Sequence, residues 1–349
     1  MLDHRQQLDK LLNSAFKSIE IPDTPVSLYE PVKYTLSLGG KRLRPRLVML
    51  TAGLCGGDPQ RALPAALAVE LLHNFTLMHD DIMDRAETRR GKPSIHAKWD
   101  DSTAILAGDV TYVLAMKQLG RYTSVDYADV RKGESNKSVV KNAETDIEAL
   151  RLHSNLTALF LDTVQTICDG QAMDMDFETR EQVEPDEYIR MICAKTAALI
   201  RCSMEMGALI ANADNHTRAL CAKIGEHAGL AFQIQDDLLD VVGDSSKFGK
   251  KTGGDILEGK KTWLSILALE RADDTDRAIL SQIFGNKNIG ESEILRVIRI
   301  YHDLGVIDDA VREIASHYND ALKKLSNFED SAYRREIKTL LDKLKVRDN

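Results

Sequence analysis

The sequence predicts an all-α fold, and three observations carry that prediction. Seven of the eight prolines lie at or before Pro93, so only Pro185 interrupts the long remainder of the 349-residue chain. Apolar residues recur at three- and four-residue spacing, as in Leu156, Leu159, Phe160, Val164 and Ile167, which is the period of a helix face. Alternating Val/Ile/Thr-rich runs closed by Asn-Gly or Asp-Gly turns, the marks of hairpins, are missing. Roughly a dozen helices and almost no strand are expected. No linker divides the chain, which predicts one domain over residues 1–349.

Taken in order, the first residues, Met1 to Gln6, lack the apolar core of a signal peptide. Gly39-Gly40-Lys41-Arg42-Leu43-Arg44-Pro45-Arg46 then gathers four cations, and its glycines let backbone amides approach an anion. The longest uncharged run, Leu47 to Gly57, is too short to span a bilayer. Leu71 to Met78 reads as a helix interior and leads into Asp80-Asp81-Ile82-Met83-Asp84, and Arg89-Arg90-Gly91-Lys92-Pro93 follows. Residues 124–154 are polar and charged, including Arg131-Lys132-Gly133-Glu134, and are expected to form a surface insertion. Pro185-Asp186-Glu187 opens a further helix with acids in its first turn. Ala228 to Gln235 leads into a second cluster, Asp236-Asp237-Leu238-Leu239-Asp240, and Gly243-Asp244-Ser245-Ser246 breaks the helix after it.

The two Asp-Asp-x-x-Asp clusters are the most informative feature. At about 100° per residue, positions i, i+1 and i+4 crowd three carboxylates onto one helix face. Unpaired charges in an apolar context are too costly to serve as packing. One such cluster alone could be a solvated acidic face; a second copy, again led by an apolar run, argues for a shared chemical purpose. Hard carboxylate oxygens suit Mg²⁺, which takes one or two carboxylates and completes its shell with water and phosphate oxygens. The five cysteines show no C-x-x-C spacing and no His-x-x-x-His pair suggests zinc.

Composition narrows the class. A net charge of −8 argues against a nucleic-acid partner. Scattered cysteines in apolar contexts fit a reducing compartment, and the chain is expected to be cytoplasmic, without a membrane span. An acidic protein that handles diphosphates must concentrate its cations locally, and Lys195-Thr196, Lys247 to Lys251 and Gly259-Lys260-Lys261 add to the two segments above.

Gly-Gly-Lys-Arg-Leu-Arg-Pro, Asp-Asp-Ile-Met-Asp with Arg-Arg-Gly-Lys-Pro, and Phe-Gln-Ile-Gln-Asp-Asp-Leu-Leu-Asp resemble the signature segments of trans-prenyl diphosphate synthases. Gly170-Gln171-Ala172-Met173-Asp174 and Lys195-Thr196 are similar to two further segments. The resemblance is strongest to the short-chain geranylgeranyl and farnesyl enzymes. It implies a single-domain bundle of antiparallel helices around a deep central cavity, of the isoprenoid synthase type, that is usually a homodimer, with the Asp clusters facing each other across the cavity mouth. It also implies an allylic diphosphate and isopentenyl diphosphate as substrates and three Mg²⁺ ions per site. Asp80 and Asp84 would hold two ions and Asp236 a third, with Asp81 and Asp240 as further metal-site carboxylates. Arg89, Lys195, Lys250 and Lys260 would neutralise the allylic diphosphate. Thr196 and Gln233 would stand near the reacting carbons. Gly40, Lys41, Arg44, His73 and Arg90 would grip isopentenyl diphosphate; an ideal wheel puts His73 about 20° from Asp80, two turns earlier.

The resemblance also bears on product length. Phe75 and Thr76 stand five and four residues before Asp80, a pairing similar to geranylgeranyl diphosphate synthases of the archaeal type, and a C20 product is expected, with farnesyl diphosphate the alternative. On an ideal wheel Thr76 lies about 40° from Asp80 and Phe75 about 140°, so geometry alone would choose Thr76 as the pocket residue. Two rivals share part of the pattern. A class I terpene cyclase usually replaces the second Asp cluster with an Asn-x-x-x-Ser-x-x-x-Glu motif. A non-catalytic modulating subunit tends to lose metal carboxylates that are present here. The charges of the C-terminal segment, Leu341 to Asn349, largely offset one another and make a poor lid.

Overall fold

A computed structural model describes residues 4–123, 143–243, 253–286 and 288–345. The described residues are overwhelmingly helical, and their strand content is one two-residue hairpin. The chain divides into two compact units, one comprising Met1–Asp162, Cys202–Ala219 and Ser331–Tyr333, the other Thr163–Arg201, Leu220–Asp330 and Arg334–Asn349.

In the first unit α1 (His4–Lys17), α2 (Val26–Ser37) and α3 (Leu43–Leu54) precede α4 (Leu63–Met83). Every residue from Ala65 to Leu72 of α4 is buried, so this helix is enclosed on all sides rather than amphipathic. Its small residues let neighbours close in, and Leu67, Leu71 and Leu72 fill the core with Leu47, Leu50 and Leu119. The hairpin pairs β1 (Thr88–Arg89) with β2 (Lys92–Pro93), joined by Arg90 and Gly91, both at positive φ (55° and 72°) as a tight primed turn requires. A short α5 (Ile95–Lys98) follows. Asp100 then caps α6 (Asp101–Leu119), its carboxylate accepting from the Thr103 N–H at 2.7 Å. Against α4, α6 presents Gly108, where a Cβ would stand 2.4 Å from His79 Nε2.

Long α7 (Ala143–Thr179) starts inside the stretch read as an insertion, so residues 143–154 are its opening turns; residues 124–142 lie outside the described ones. Its continuation belongs to the second unit, with α8 (Pro185–Ile192), where Pro185 sits in the first turn as read from the sequence. A π-helical turn, Cys193–Ala197, joins α8 to α9 (Ala198–Ile210). Then come α10 (Asn215–Val242), α11 (Gly254–Glu258), α12 (Trp263–Arg271), α13 (Asp274–Ile283), α14 (Glu291–Asp303), α15 (Val306–Leu325) and α16 (Ala332–Lys345). The core of this unit is built from Tyr188, Ile192, Ile234, Leu264, Leu280, Tyr301 and Tyr318. No helix among the described residues is long and apolar enough to cross a membrane.

Candidate active site

Both Asp clusters fall in the last turns of their helices: Asp84 is the cap residue after α4, and Asp240 lies two residues before the end of α10. Carboxylates there face the negative end of the helix dipole, the unfavourable arrangement, which a bound cation would reverse.

In each cluster the middle carboxylate is the buried one. Asp81, 4 % exposed, accepts from Arg89 Nε at 2.9 Å and also from Arg89 Nη2, which ties the hairpin back to α4. Burial pushes the Asp81 carboxyl up, and Arg89 pulls it back. Asp237, also 4 % exposed, accepts from the Tyr188 hydroxyl, the Trp263 N–H at 3.1 Å and Gln233 Nε2 at 3.1 Å. Burial still pushes its pKa up to about 6. The outer members are more open: Asp84 and Asp236 are exposed, Asp80 and Asp240 half-buried.

In the first unit the glycine-rich loop is shaped by positive φ at Gly39 (74°), Gly40 (152°) and Arg42 (47°). The φ of Gly40 favours glycine, and a Cβ there would stand 2.9 Å from Arg90 Nη2, so the guanidinium lies against this loop. Arg44 Nη1 lies 3.2 Å from His73 Nε2, which fits a neutral imidazole accepting from the guanidinium. Burial, then the charges of Arg44, Arg90 and Arg89, hold His73 well below the usual imidazole range. Gly40, Arg44, His73 and Arg90 are thus brought together, and Lys41 follows on the same loop, exposed. The other two cations of the segment turn towards α1: Arg46 pairs with Asp9 at 2.6 Å, and Arg42 donates to Asn13 Oδ1 at 2.5 Å above the Phe16 ring.

Phe75 points towards α6. Its ring lies 4.7 Å from His79 and 5.6 Å from Tyr112, and Tyr112 stacks on Phe160 at 6.4 Å. Thr76 donates its hydroxyl to the His73 carbonyl of its own helix at 3.0 Å.

In the second unit Lys195 and Thr196 lie on the π turn, a distortion often found at functional sites. Glycines give neighbouring helices access to it: a Cβ at Gly170 of α7 would be 2.3 Å from Lys195 N, and one at Gly229 of α10 2.5 Å from Ala197 Cα. Lys195 Nζ donates to Asp174 at 2.5 Å. Thr196 Oγ1 donates to Gln233 Oε1 at 2.9 Å, so the Thr196–Gln233–Asp237–Tyr188 side chains form one continuous hydrogen-bonded chain. Asp240 Oδ2 accepts from the Asp255 N–H at 3.0 Å, and Lys260 lies 2.9 Å from Glu258 and 4.0 Å from Asp255. Burial, then Asp240 and Asp237, push the Asp255 carboxyl up to about 8. Lys250 lies outside the described residues.

Sequence reasoning passed over Tyr188 and Asp255, along with Asp9 and Asn13, which hold the cation loop. Gly253-Gly254-Asp255 carried a readable signal, an acid behind two glycines soon after the second cluster. Tyr188 carried none, because its partner is 49 positions away.

Among the described residues no three His, Cys, Asp or Glu side chains converge into a complete metal cage. Oxygen-only donors at helix ends, next to a carboxyl crowded up to about 8, fit a cation that keeps part of its shell for water and phosphate.

Residues 25–301 match the polyprenyl synthetase family. The chain belongs to this family. A short chain isoprenyl diphosphate synthase of Methanothermobacter thermautotrophicus is 38 % identical over 319 residues, covering 91 % of this chain and 90 % of that one. A geranylgeranyl diphosphate synthase of Saccharolobus solfataricus is 36 % identical, covering 90 % and 85 %. The crystal structure of geranylgeranyl pyrophosphate synthetase from Pyrococcus horikoshii superimposes with a TM-score of 0.86 at 32 % identity, covering 99 % of this chain and 100 % of that one. The polyprenyl synthetase family accounts for the all-α isoprenoid synthase fold.

Proposed function

We infer that this polyprenyl synthetase is a head-to-tail prenyltransferase that joins isopentenyl diphosphate to an allylic diphosphate and makes geranylgeranyl diphosphate. The observation that carries the reading is the repeated design of the Asp clusters. Each fixes its middle carboxylate on protein donors and leaves an outer one exposed at the end of a helix.

Asp80 and Asp84 would hold two Mg²⁺ ions and Asp236 a third, with Asp240 in support; Asp81 takes part by anchoring Arg89. Bound there, the ions supply electrostatic stabilisation for the departing allylic diphosphate. Arg89, Lys195, Lys250 and Lys260 add positive charge to the same group. The protonic partners leave the chemistry to position and field. Gln233 Oε1 accepts the hydrogen bond from the Thr196 hydroxyl, so the lone pairs of the Thr196 oxygen are available to an electron-poor carbon. Gly40, Lys41, Arg44, His73 and Arg90 bind isopentenyl diphosphate, whose alkene attacks the allylic cation; the resulting cation then loses a proton to the released diphosphate. His73, kept neutral, accepts from Arg44 and holds that guanidinium ready for phosphate oxygens.

Phe75, backed by Tyr112 and Phe160, favours a C20 end point, because an aromatic wall three rings deep does not yield to a growing chain as one side chain would. Ile105, Leu106 and Val113 of α6, 45 %, 56 % and 49 % exposed, fit burial against a second copy in a cytoplasmic homodimer. The deciding experiment incubates the purified chain with Mg²⁺, isopentenyl diphosphate and C5, C10 or C15 allylic diphosphates, and reads products by mass spectrometry. A C20 product is expected. A C15 end point would keep the reaction and refute the product, and no product from any starter would refute the enzyme reading.

A further inference from the structure

The glycine-rich loop needs a hold that its own residues do not supply. Gly39 and Gly40 both stand at positive φ, and glycine leaves a backbone freer than any other residue. Arg42, the cap residue before α3, is itself left-handed (φ 47°, ψ 42°), a conformation that a side chain disfavours. Lys41 precedes it and Arg44 follows two residues later, both assigned to isopentenyl diphosphate. Whatever fixes Arg42 therefore fixes the direction in which both cations leave the loop.

The hold comes from α1. Leu8 and Leu12 are buried and seat this helix in the first unit. Asp9, Asn13 and Phe16 are spaced i, i+4 and i+7, which puts them in one stripe along it. Asn13 Oδ1 accepts from Arg42 Nη1 at 2.5 Å, and the centre of the Phe16 ring lies 4.2 Å from Arg42 Cζ. Asp9 Oδ1 accepts from Arg46 Nε at 3.0 Å and Nη2 at 2.6 Å, one turn further along α3. The Arg42 guanidinium is thus gripped at its edge by an amide and on its face by a ring, the two contacts that its planar fork suits.

We propose that α1 clamps this loop, and that Asn13 and Phe16 are positioning residues which, through Arg42, set how well Lys41 and Arg44 meet a diphosphate. The proposal rests on the assignment of the cluster to isopentenyl diphosphate. The diphosphate of that substrate takes no part in bond making and stays on the elongated product, so it is gripped equally before and during the reaction. Loosening the grip then raises the KM for isopentenyl diphosphate and leaves kcat and the KM for the allylic diphosphate unchanged.

The test is steady-state kinetics of the full-length protein, with each substrate varied in turn. Asn13→Ala and Phe16→Ala are each expected to raise the KM for isopentenyl diphosphate about fivefold, as loss of one charged hydrogen bond or one partly exposed cation–π contact implies. Asn13→Asp keeps the acceptor and Phe16→Tyr keeps the ring face, so both are expected to stay close to wild type. Phe16→Leu fills the space without a ring face and is expected to behave as Phe16→Ala does. An unchanged KM for isopentenyl diphosphate in both alanine variants overturns the proposal, and so does an equal rise for both substrates. A wild-type KM in Phe16→Leu would reduce that contact to packing and also overturns it. Arg44→Ala is the control: its failure to raise the KM for isopentenyl diphosphate would instead overturn the assignment of the cluster. If the Phe16 variants do not fold, Asn13 is exposed, and Asn13→Ala against Asn13→Asp decides alone.

Discussion

The Tyr188 hydroxyl donates to Asp237, joining α8 to the second Asp cluster across a fully buried contact. Asp237 in turn receives Gln233, and Gln233 receives Thr196. One phenol therefore sets the orientation of two side chains assigned to the reacting carbons. Tyr188→Phe leaves a buried carboxylate short of one of its donors, which costs about 1–3 kcal/mol. A lower melting temperature and a reduced kcat with little change in KM are expected. Unchanged kcat would mean that Gln233 is positioned without Asp237.

Removing an outer carboxylate tests the metal assignment. Asp80→Ala and Asp236→Ala are each expected to cut turnover by orders of magnitude while circular dichroism and melting temperature stay near wild type. Wild-type rates in either variant would show that its carboxylate does not hold a catalytic ion.

The aromatic stack predicts a graded change in product length. Phe75→Ala should lengthen the product, and Phe75→Ala with Tyr112→Ala should lengthen it further, because Tyr112 stands directly behind Phe75. Identical product spectra for the single and double variants would place the floor elsewhere.

Gly170→Ala sets two effects against each other. Alanine favours a helix by about 1 kcal/mol over glycine. Its Cβ, however, would stand 2.3 Å from the backbone nitrogen of Lys195, which cannot move aside as a flexible side chain would. Overpacking of this kind costs about 1–3 kcal/mol, so a net loss is expected. Reduced turnover should accompany the lower melting temperature, since Lys195 and Thr196 ride on the displaced turn.

His73 predicts acid sensitivity. Its folded-state pKa lies well below the ordinary 6.5, so below that pH the unfolded chain takes up a proton that the folded chain refuses. Its contribution to stability is therefore complete above pH 6.5 and declines as the pH falls. His73→Gln should lose less melting temperature between about pH 7 and pH 5 than the wild-type protein does. Equal losses would place the proton uptake on another group.

Much of this was legible in the sequence, for reasons that differ between residues. Helical spacing and the crowding of prolines before Pro93 gave the all-α class, because both report on the backbone directly. The doubled Asp clusters were legible because charge at that spacing has few cheap structural explanations. Phe75 was not settled by the wheel: its angle from Asp80 says nothing about which neighbour α4 packs against, and the structure turns it towards Tyr112 of α6. Which Asp of each cluster is buried was also hidden, since that depends on Arg89 and Tyr188 arriving from other elements. Arg42 and Arg46 looked like members of one cation group, yet α1 draws both away through Asn13 and Asp9.

The widened turn at Cys193–Ala197 has a consequence for how this chain can vary. A π turn holds one residue more than the same stretch of α-helix. Deleting one residue there would restore the α-helical count and leave α8 and α9 facing nearly as they do now, but would redirect the side chains of the turn itself, Lys195 and Thr196, away from Asp174 and Gln233. A further inserted residue, with no second widened turn to absorb it, would rotate one helix against the other by about 100°. Length changes that a surface loop absorbs without harm are thus costly in this segment, although it looks like uninterrupted helix, and length itself becomes a trait that selection must guard.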